Sequence, residues 1–339
     1  MIYDNPIFFE KNRVYRAYKG GKLLGSFVGD GSDDGNYPEE WIASAVEAAN
    51  CTSSVEKEGV SVTADGGFYL DELINKYRRE ILGDRTELGV LIKFLDSAIR
   101  LPVQAHPDKE YSLKYFNGTH GKEESWIILA TRPGGCVYFG FKDGVTREMF
   151  SKAIDDSETD PDAMERLLVK YEVKPGDVMF VPAKTVHAIG AGCLILEVQE
   201  PTDFTIQPEH MCGDVKLTQQ EMYMGLDKET CLDCFKYVQT PLVKEQPVIL
   251  EQTNNVRREM LIGKKQTENF GVNRITLNNC SYSPDVSAGV YIVLSGSGAV
   301  TGPDVSRQIK QGDYFLLPHN AVGECLISGT MTVAECFAQ

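Results

Sequence analysis

The chain has no apolar stretch near the roughly 18 residues that a membrane-spanning helix requires, and its opening residues, MIYDNPIFFEKNRVYRAYKG, carry charges throughout. They also lack the small-residue cleavage pattern that ends a secretory signal. Both absences predict a cytoplasmic protein. Positive charge is scarce too: 34 Lys and Arg stand against 49 Asp and Glu, a net charge of −15. No nucleic-acid partner is expected, because counterion release from a phosphate backbone needs a basic face. An anionic small molecule needs only a local cluster of cations, so any Lys or Arg near a pocket becomes informative. The nine cysteines are an odd number without framework spacing, which reads as reduced thiols rather than a disulfide scaffold.

What is present describes a folded globular protein, with 42% hydrophobic and 24% charged residues in a length that accommodates two or three domains. Short β-like runs broken by Gly, Pro, Asn and Asp dominate, including residues 178–183, 193–198, 272–277 and 289–296. Helical periodicity is confined to residues 70–82, 146–155, 162–170 and 218–235, which read as insertions between sheets. The segment WIASAVEAAN suits either state, its alanines favouring helix and its setting between turns favouring strand.

Two segments repeat one pattern 136 residues apart: GDVMFVP from Gly176 to Pro182, and GDYFLLP from Gly312 to Pro318. A tight Gly-Asp turn, a short buried strand and a Pro where ladder donation stops explain the shared spacing. The duplication predicts two β-barrels, centred on residues 90–205 and 245–339, in a mainly β chain with helical insertions. The boundary falls near residue 240, giving units 1–240 and 241–339.

Gln104 and His106, two apart, share a face if the segment is extended. Glu124 follows at the start of an apolar strand, and His187 lies five residues past Pro182. Imidazoles with a carboxylate and an amide oxygen suit zinc, with iron, manganese or cobalt as alternatives. At the position equivalent to His187 the second copy carries Gly323, so one metal is expected per chain, in the first unit. His120 and His210 lie in polar loop-like stretches and His319 is out of register; Cys231 and Cys234 have no matching second pair. None of these is taken as a ligand.

These blocks resemble the type I phosphomannose isomerases (mannose-6-phosphate isomerases), a zinc-dependent family of the cupin superfamily. LGVLIKFLDSAIRLPVQAHPDKEYS (88–112), HGKEESWIIL (120–129) and VPAKTVHAIGAGCLILEVQEPTD (181–203) carry the resemblance, with PEEWIAS (38–44) a weaker match. It implies double-stranded β-helix barrels, two per chain, and zinc at Gln104, His106, Glu124 and His187. It implies a pocket lined by Lys93, Lys122, Glu39 and Glu197, with Lys122 and Glu197 as the catalytic candidates. The implied reaction interconverts mannose 6-phosphate and fructose 6-phosphate through an enediol. That chemistry asks for a stabiliser of the developing oxyanion, a base within hydrogen-bond reach and cations for the phosphate.

Three positions depart from the family pattern. Pro102 replaces a Ser, Lys184 replaces a Gly, and Gln207 stands where the family has an active-site Arg. A neutral amide cannot replace a bidentate guanidinium. Lys184, three residues before His187, is the expected source of compensating charge, with Gln207 still facing substrate. The alternatives are a metal protein that binds a sugar phosphate without turning it over, and another metal-dependent activity such as an oxygenase.

Overall fold

The computed structural model describes residues 1–50 and 55–339. Nine strands lie among the described residues up to 199: β1 (Arg13–Val14), β2 (Glu39–Ile42), β3 (Leu91–Ser97), β4 (Glu124–Thr131), β5 (Cys136–Phe141), β6 (Leu168–Glu172), β7 (Val178–Val181), β8 (His187–Ile189) and β9 (Cys193–Gln199). Six form an antiparallel sheet in the order β1-β2-β3-β9-β4-β7, and three form a second, β6-β5-β8. A small ribbon of β10 (Met211–Cys212) and β11 (Val215–Lys216) follows.

The last third of the chain holds β12 (Val248–Gln252), β13 (Val256–Ile262), β14 (Phe270–Tyr282), β15 (Gly289–Thr301), β16 (Ser306–Lys310), β17 (Tyr314–Leu317) and β18 (Leu326–Ala338). They make one sheet ordered β12-β13-β14-β18-β15-β16, with β17 also paired to β15. Among the described residues, no helix is long and apolar enough to cross a membrane.

The six-stranded sheet is buried on both faces, which explains why β3 and β9 read as nearly continuous apolar runs. One face, with Ile92, Phe94, Leu196 and Val198, packs against Phe270, Val272, Val290 and Leu316 of the last sheet. On the other, Leu95, Trp126 and Ile195 meet Phe139, Phe141 and Phe150. Strand alternation places Lys93 and Glu197 on this second face. The N-terminal residues pack on the last sheet: Ile7 bridges Leu316, and Phe8 joins Phe315 in that sheet's core.

The repeated turns match in detail. Gly176 and Gly312 have φ of 91° and 90°. The side chains of Asp177 and Asp313 accept from the backbone N–H of Lys174 and Lys310 at 3.0 and 2.8 Å. Each turn leads into a four-residue strand, β7 and β17.

Several helical expectations need correction. Residues 70–82 form two helices, Leu70–Lys76 and Arg78–Leu82, broken at Tyr77. Residues 218–235 likewise split into Gln219–Tyr223 and Lys228–Leu232, because Met224 and Gly225 turn left-handed at φ 53° and 84°. Residues 162–170 are not an α-helix: a 3-10 turn at Glu165–Leu167 runs into β6, whose pairing with β5 overrides local propensity. The 146–155 expectation is met by Arg147–Asp156, capped by the Thr146 side chain. WIASAVEAAN begins as strand β2 and then turns at Ala43, φ 46°, so pairing with β3 outweighs the helix preference of its alanines.

Candidate metal centre and adjoining cavity

Gln104 and His187 form an antiparallel bridge, each backbone N–H donating to the other's carbonyl at 2.9 Å. Extended backbone at Gln104 sends its side chain and that of His106 to the same side, as the spacing predicts. Glu124 opens β4, and His187 opens β8. Four side chains thereby converge from three chain segments. His106 Nε2 lies 3.2 Å from Glu124 Oε2, and His187 Nε2 lies 3.3 Å from Glu124 Oε1. The Gln104 amide reaches within 3.3 Å of His187 Nε2.

The electrostatics of this cluster call for a cation. Each imidazole has its Nδ1 on a backbone carbonyl, Phe204 for His106 at 3.0 Å and Thr185 for His187 at 2.9 Å. An Nδ1–H donated there leaves the Nε2 lone pair facing the carboxylate. Burial lowers the affinity of both rings for a second proton, and for His106 the nearby Lys122 charge adds to this, holding it to about 3. Both Glu124 oxygens are buried and accept no hydrogen bond among the described residues. Lone pairs converging on an orphaned buried carboxylate are what a bound divalent ion satisfies, and the His106–Glu124–His187 triad is suited to one. Turning the Gln104 amide would add its oxygen to the set.

Beside the triad opens a cavity of about 390 Å³, lined in part by Arg16, Glu39, Lys93, Lys122, Glu197 and Asp203. Lys122 Nζ sits 3.1 Å from His106 Nε2 and 3.7 Å from Glu124; burial and then the Lys93 charge make its ammonium easier to deprotonate. β-Pairing sets Lys93 between Trp41 and Glu197 in register. Glu197 accepts from Trp126 Nε1 at 3.1 Å. Its burial, reinforced by the Glu124 charge, pushes the pKa of its carboxyl up to about 7. Glu39 behaves oppositely: burial resists ionisation, yet Arg16 and Lys93 hold it down at about 2.

Nine of the ten residues expected from the sequence therefore meet here: Gln104, His106, Glu124, His187, Lys122, Glu197, Lys93, Glu39 and Gln207. Gln207 lines the cavity wall, its amide donating to the Glu221 carbonyl at 3.2 Å, and Pro102 lines the same cavity. Lys184 is not among the lining residues; its ammonium lies over the Tyr111 ring, 3.9 Å from Asp108. Its backbone is left-handed, φ 67°. Sequence reasoning missed Arg16 and Asp203. Arg16 sits among scattered N-terminal charges with no periodicity, and only the fold brings it 3.2 Å from Asp203. The remaining histidines lie apart, with His120 on Glu87 at 2.6 Å and His319 on Ser287 at 2.9 Å.

No protein-family model matches the chain. Among curated proteins it is 30% identical over 336 residues to the probable mannose-6-phosphate isomerase GmuF of Bacillus subtilis, spanning 96% of this chain and 97% of that one. The crystal structure of the mannose 6-phosphate isomerase from Bacillus subtilis superposes with a TM-score of 0.77 at 25% identity, covering 98% of this chain and 99% of the other. A mannose 6-phosphate isomerase crystallised with zinc and yttrium shares the fold, with a TM-score of 0.71 at 16% identity over 98% or more of both chains.

Proposed function

The chain belongs to the mannose-6-phosphate isomerase family, and from that premise we propose that it interconverts mannose 6-phosphate and fructose 6-phosphate, with a single zinc ion held by Gln104, His106, Glu124 and His187. The observation that carries this reading is the pairing of the orphaned Glu124 carboxylate and its two imidazoles with a cavity rich in buried charge. Held by these four side chains, zinc would supply Lewis acidity to the oxygens of the bound sugar.

The chain's own residues divide the remaining work. Glu197, its proton affinity raised chiefly by burial, accepts and returns a proton, as transfer between adjacent carbons requires. Lys122, buried beside the triad, holds positive charge against the same oxygens. Lys93 presents a fixed cation to the oxygens of the sugar phosphate, with ionised Glu39 beside it to balance the charge. Burial of all four excludes bulk water, which strengthens each of these interactions.

We assign residues 1–240 to a metal-binding unit and 241–339 to a unit without the metal, both as double-stranded β-helix barrels. The matched Gly-Asp turns and the substitution of Gly323 for a ligand support this division. The eight described cysteines are all free thiols, which supports a cytoplasmic setting.

A second reading, a sugar-phosphate binder without turnover, draws on Pro102 and Gln207, because both departures from the family line the cavity itself. Fructose 6-phosphate formation from mannose 6-phosphate decides between them. It should be measured with protein of known metal content, before and after chelation and zinc restoration. Metal-dependent turnover establishes the isomerase; tight sugar-phosphate binding without turnover by fully loaded protein establishes the binder.

A further inference from the structure

Arg16 follows β1, and Asn36 pins its backbone on both sides: Arg16 N–H donates to the Asn36 carbonyl, and Asn36 Nδ2 to the Arg16 carbonyl, both at 2.9 Å. Its guanidinium donates from Nε to Glu39 Oε1 at 3.0 Å, from Nη1 to Asn50 Oδ1 at 2.8 Å, and from Nη2 to both Asp203 oxygens at 3.2 Å. The same carboxylates take further donors. Tyr18 and Trp41 donate to Glu39 at 2.6 and 2.7 Å, and the Ala49 N–H donates to Asp203 at 2.9 Å.

The beneficiary is Lys93. Its ammonium stands 3.9 Å from Glu39, 3.5 Å from Glu197 and 3.6 Å from Asp203. Among the described residues it donates no hydrogen bond, although three carboxylates surround it. A buried ammonium beside an under-satisfied carboxylate would close to about 2.7–2.9 Å. Glu39 and Asp203 are already committed to Arg16 and to the indole, phenol and amide donors, while Glu197 takes the Trp126 N–H on Oε1 and keeps its Oε2 at 3.5 Å from Lys93, so the three neutralise Lys93 without consuming its N–H groups.

We propose that Arg16 is a positioning residue for substrate binding: by engaging Glu39 and Asp203 it keeps both off Lys93, leaving the Lys93 N–H groups for an electron-rich oxygen of the sugar phosphate. Its bond to Asn50 also fixes residues 48–50 as a wall of the cavity. The identity of the ligand rests on the isomerase reading; the arrangement of Lys93 does not.

Two measurements on metal-loaded full-length protein test this. In a crystal structure of Arg16→Met, Lys93 Nζ closes to about 2.9 Å from Glu39 or Asp203; an ammonium still outside hydrogen-bond distance of all three carboxylates overturns the proposal. If Arg16→Met does not fold, Arg16→Lys serves, since a compact ammonium cannot reproduce the guanidinium fork that bonds Glu39, Asn50 and Asp203 together. In kinetics with mannose 6-phosphate, KM rises roughly 10- to 100-fold, as for loss of a hydrogen bond to a charged group, while kcat stays within about threefold. Adding Arg16→Met to Lys93→Met then changes KM less than about twofold. Independent, multiplicative effects, or metal content falling in step with activity, refute action through Lys93. A wild type inert toward mannose 6-phosphate defeats the isomerase reading instead, and the structural arm alone then decides the role of Arg16.

Discussion

Glu197→Gln isolates the pH-dependent cost of burying one carboxyl in the cavity. Burial and the Glu124 charge raise this group from 4.5 to about 7 in the folded chain. Below pH 4.5 both folded and unfolded states hold the proton, so the group contributes no pH dependence. Between 4.5 and 7 the unfolded chain releases a proton that the folded chain keeps, and wild-type stability falls as pH rises. At 1.36 kcal/mol per pH unit, the gap between 4.5 and about 7 amounts to about 3 kcal/mol. Above pH 7 the penalty is complete.

Glutamine has no proton to lose, so the stability of Glu197→Gln relative to wild type should climb by about 3 kcal/mol between pH 4.5 and 7.5 and then level off. The slope is the observable, because the attraction of Lys93 at 3.5 Å is already contained in the shifted value, while packing differences between the two side chains add only a pH-independent offset. Urea unfolding of metal-depleted protein across that range measures it. Zinc loading should flatten the curve, since a cation on Glu124 cancels the charge that helps raise Glu197. A relative stability independent of pH in the metal-depleted protein refutes the assignment, and with it the case for Glu197 as a proton carrier near neutrality.

Lys184→Gly should leave KM for sugar phosphate within about twofold and metal content intact, while stabilising the protein by about 1 kcal/mol, because glycine adopts its φ of 67° freely; kinetics and denaturant unfolding check both. Glu124→Gln should lower zinc affinity by more than tenfold, since one anionic ligand of the triad is lost, measured by competition with a chromogenic chelator. Gly176→Ala and Gly312→Ala force the same φ, but a Cβ at Gly176 meets open space whereas one at Gly312 would lie 2.8 Å from the Val28 backbone. The first should cost about 1 kcal/mol and the second clearly more, read from paired unfolding curves. Tyr314→Phe removes a 2.8 Å hydrogen bond to buried Glu40, the neighbour of Glu39, and should cost about 1.5–3 kcal/mol, again by unfolding.

The sequence by itself determined the local features of this protein. Period-two spacing put Gln104 and His106 on one side, and the Gly-Asp-apolar-Pro repeat located β7 and β17 and their turns, because extended geometry and left-handed glycine are fixed within a few residues. It also allowed the triad to be named, since chemistry limits which side chains hold a metal. Local propensity failed where distant pairing prevailed, as at residues 162–170, where β5 recruits a helix-like sequence into β6. Only the tertiary structure decided the electrostatics of the cavity. Lys184, three residues before His187 in sequence, lies over Tyr111 outside the cavity lining, whereas Arg16, 187 residues from Asp203, bonds to it. Sheet pairing carries charges across the chain, and burial then sets how each one behaves: Glu39 stays ionised beside Arg16, while Glu197, facing Glu124, holds its proton to about pH 7.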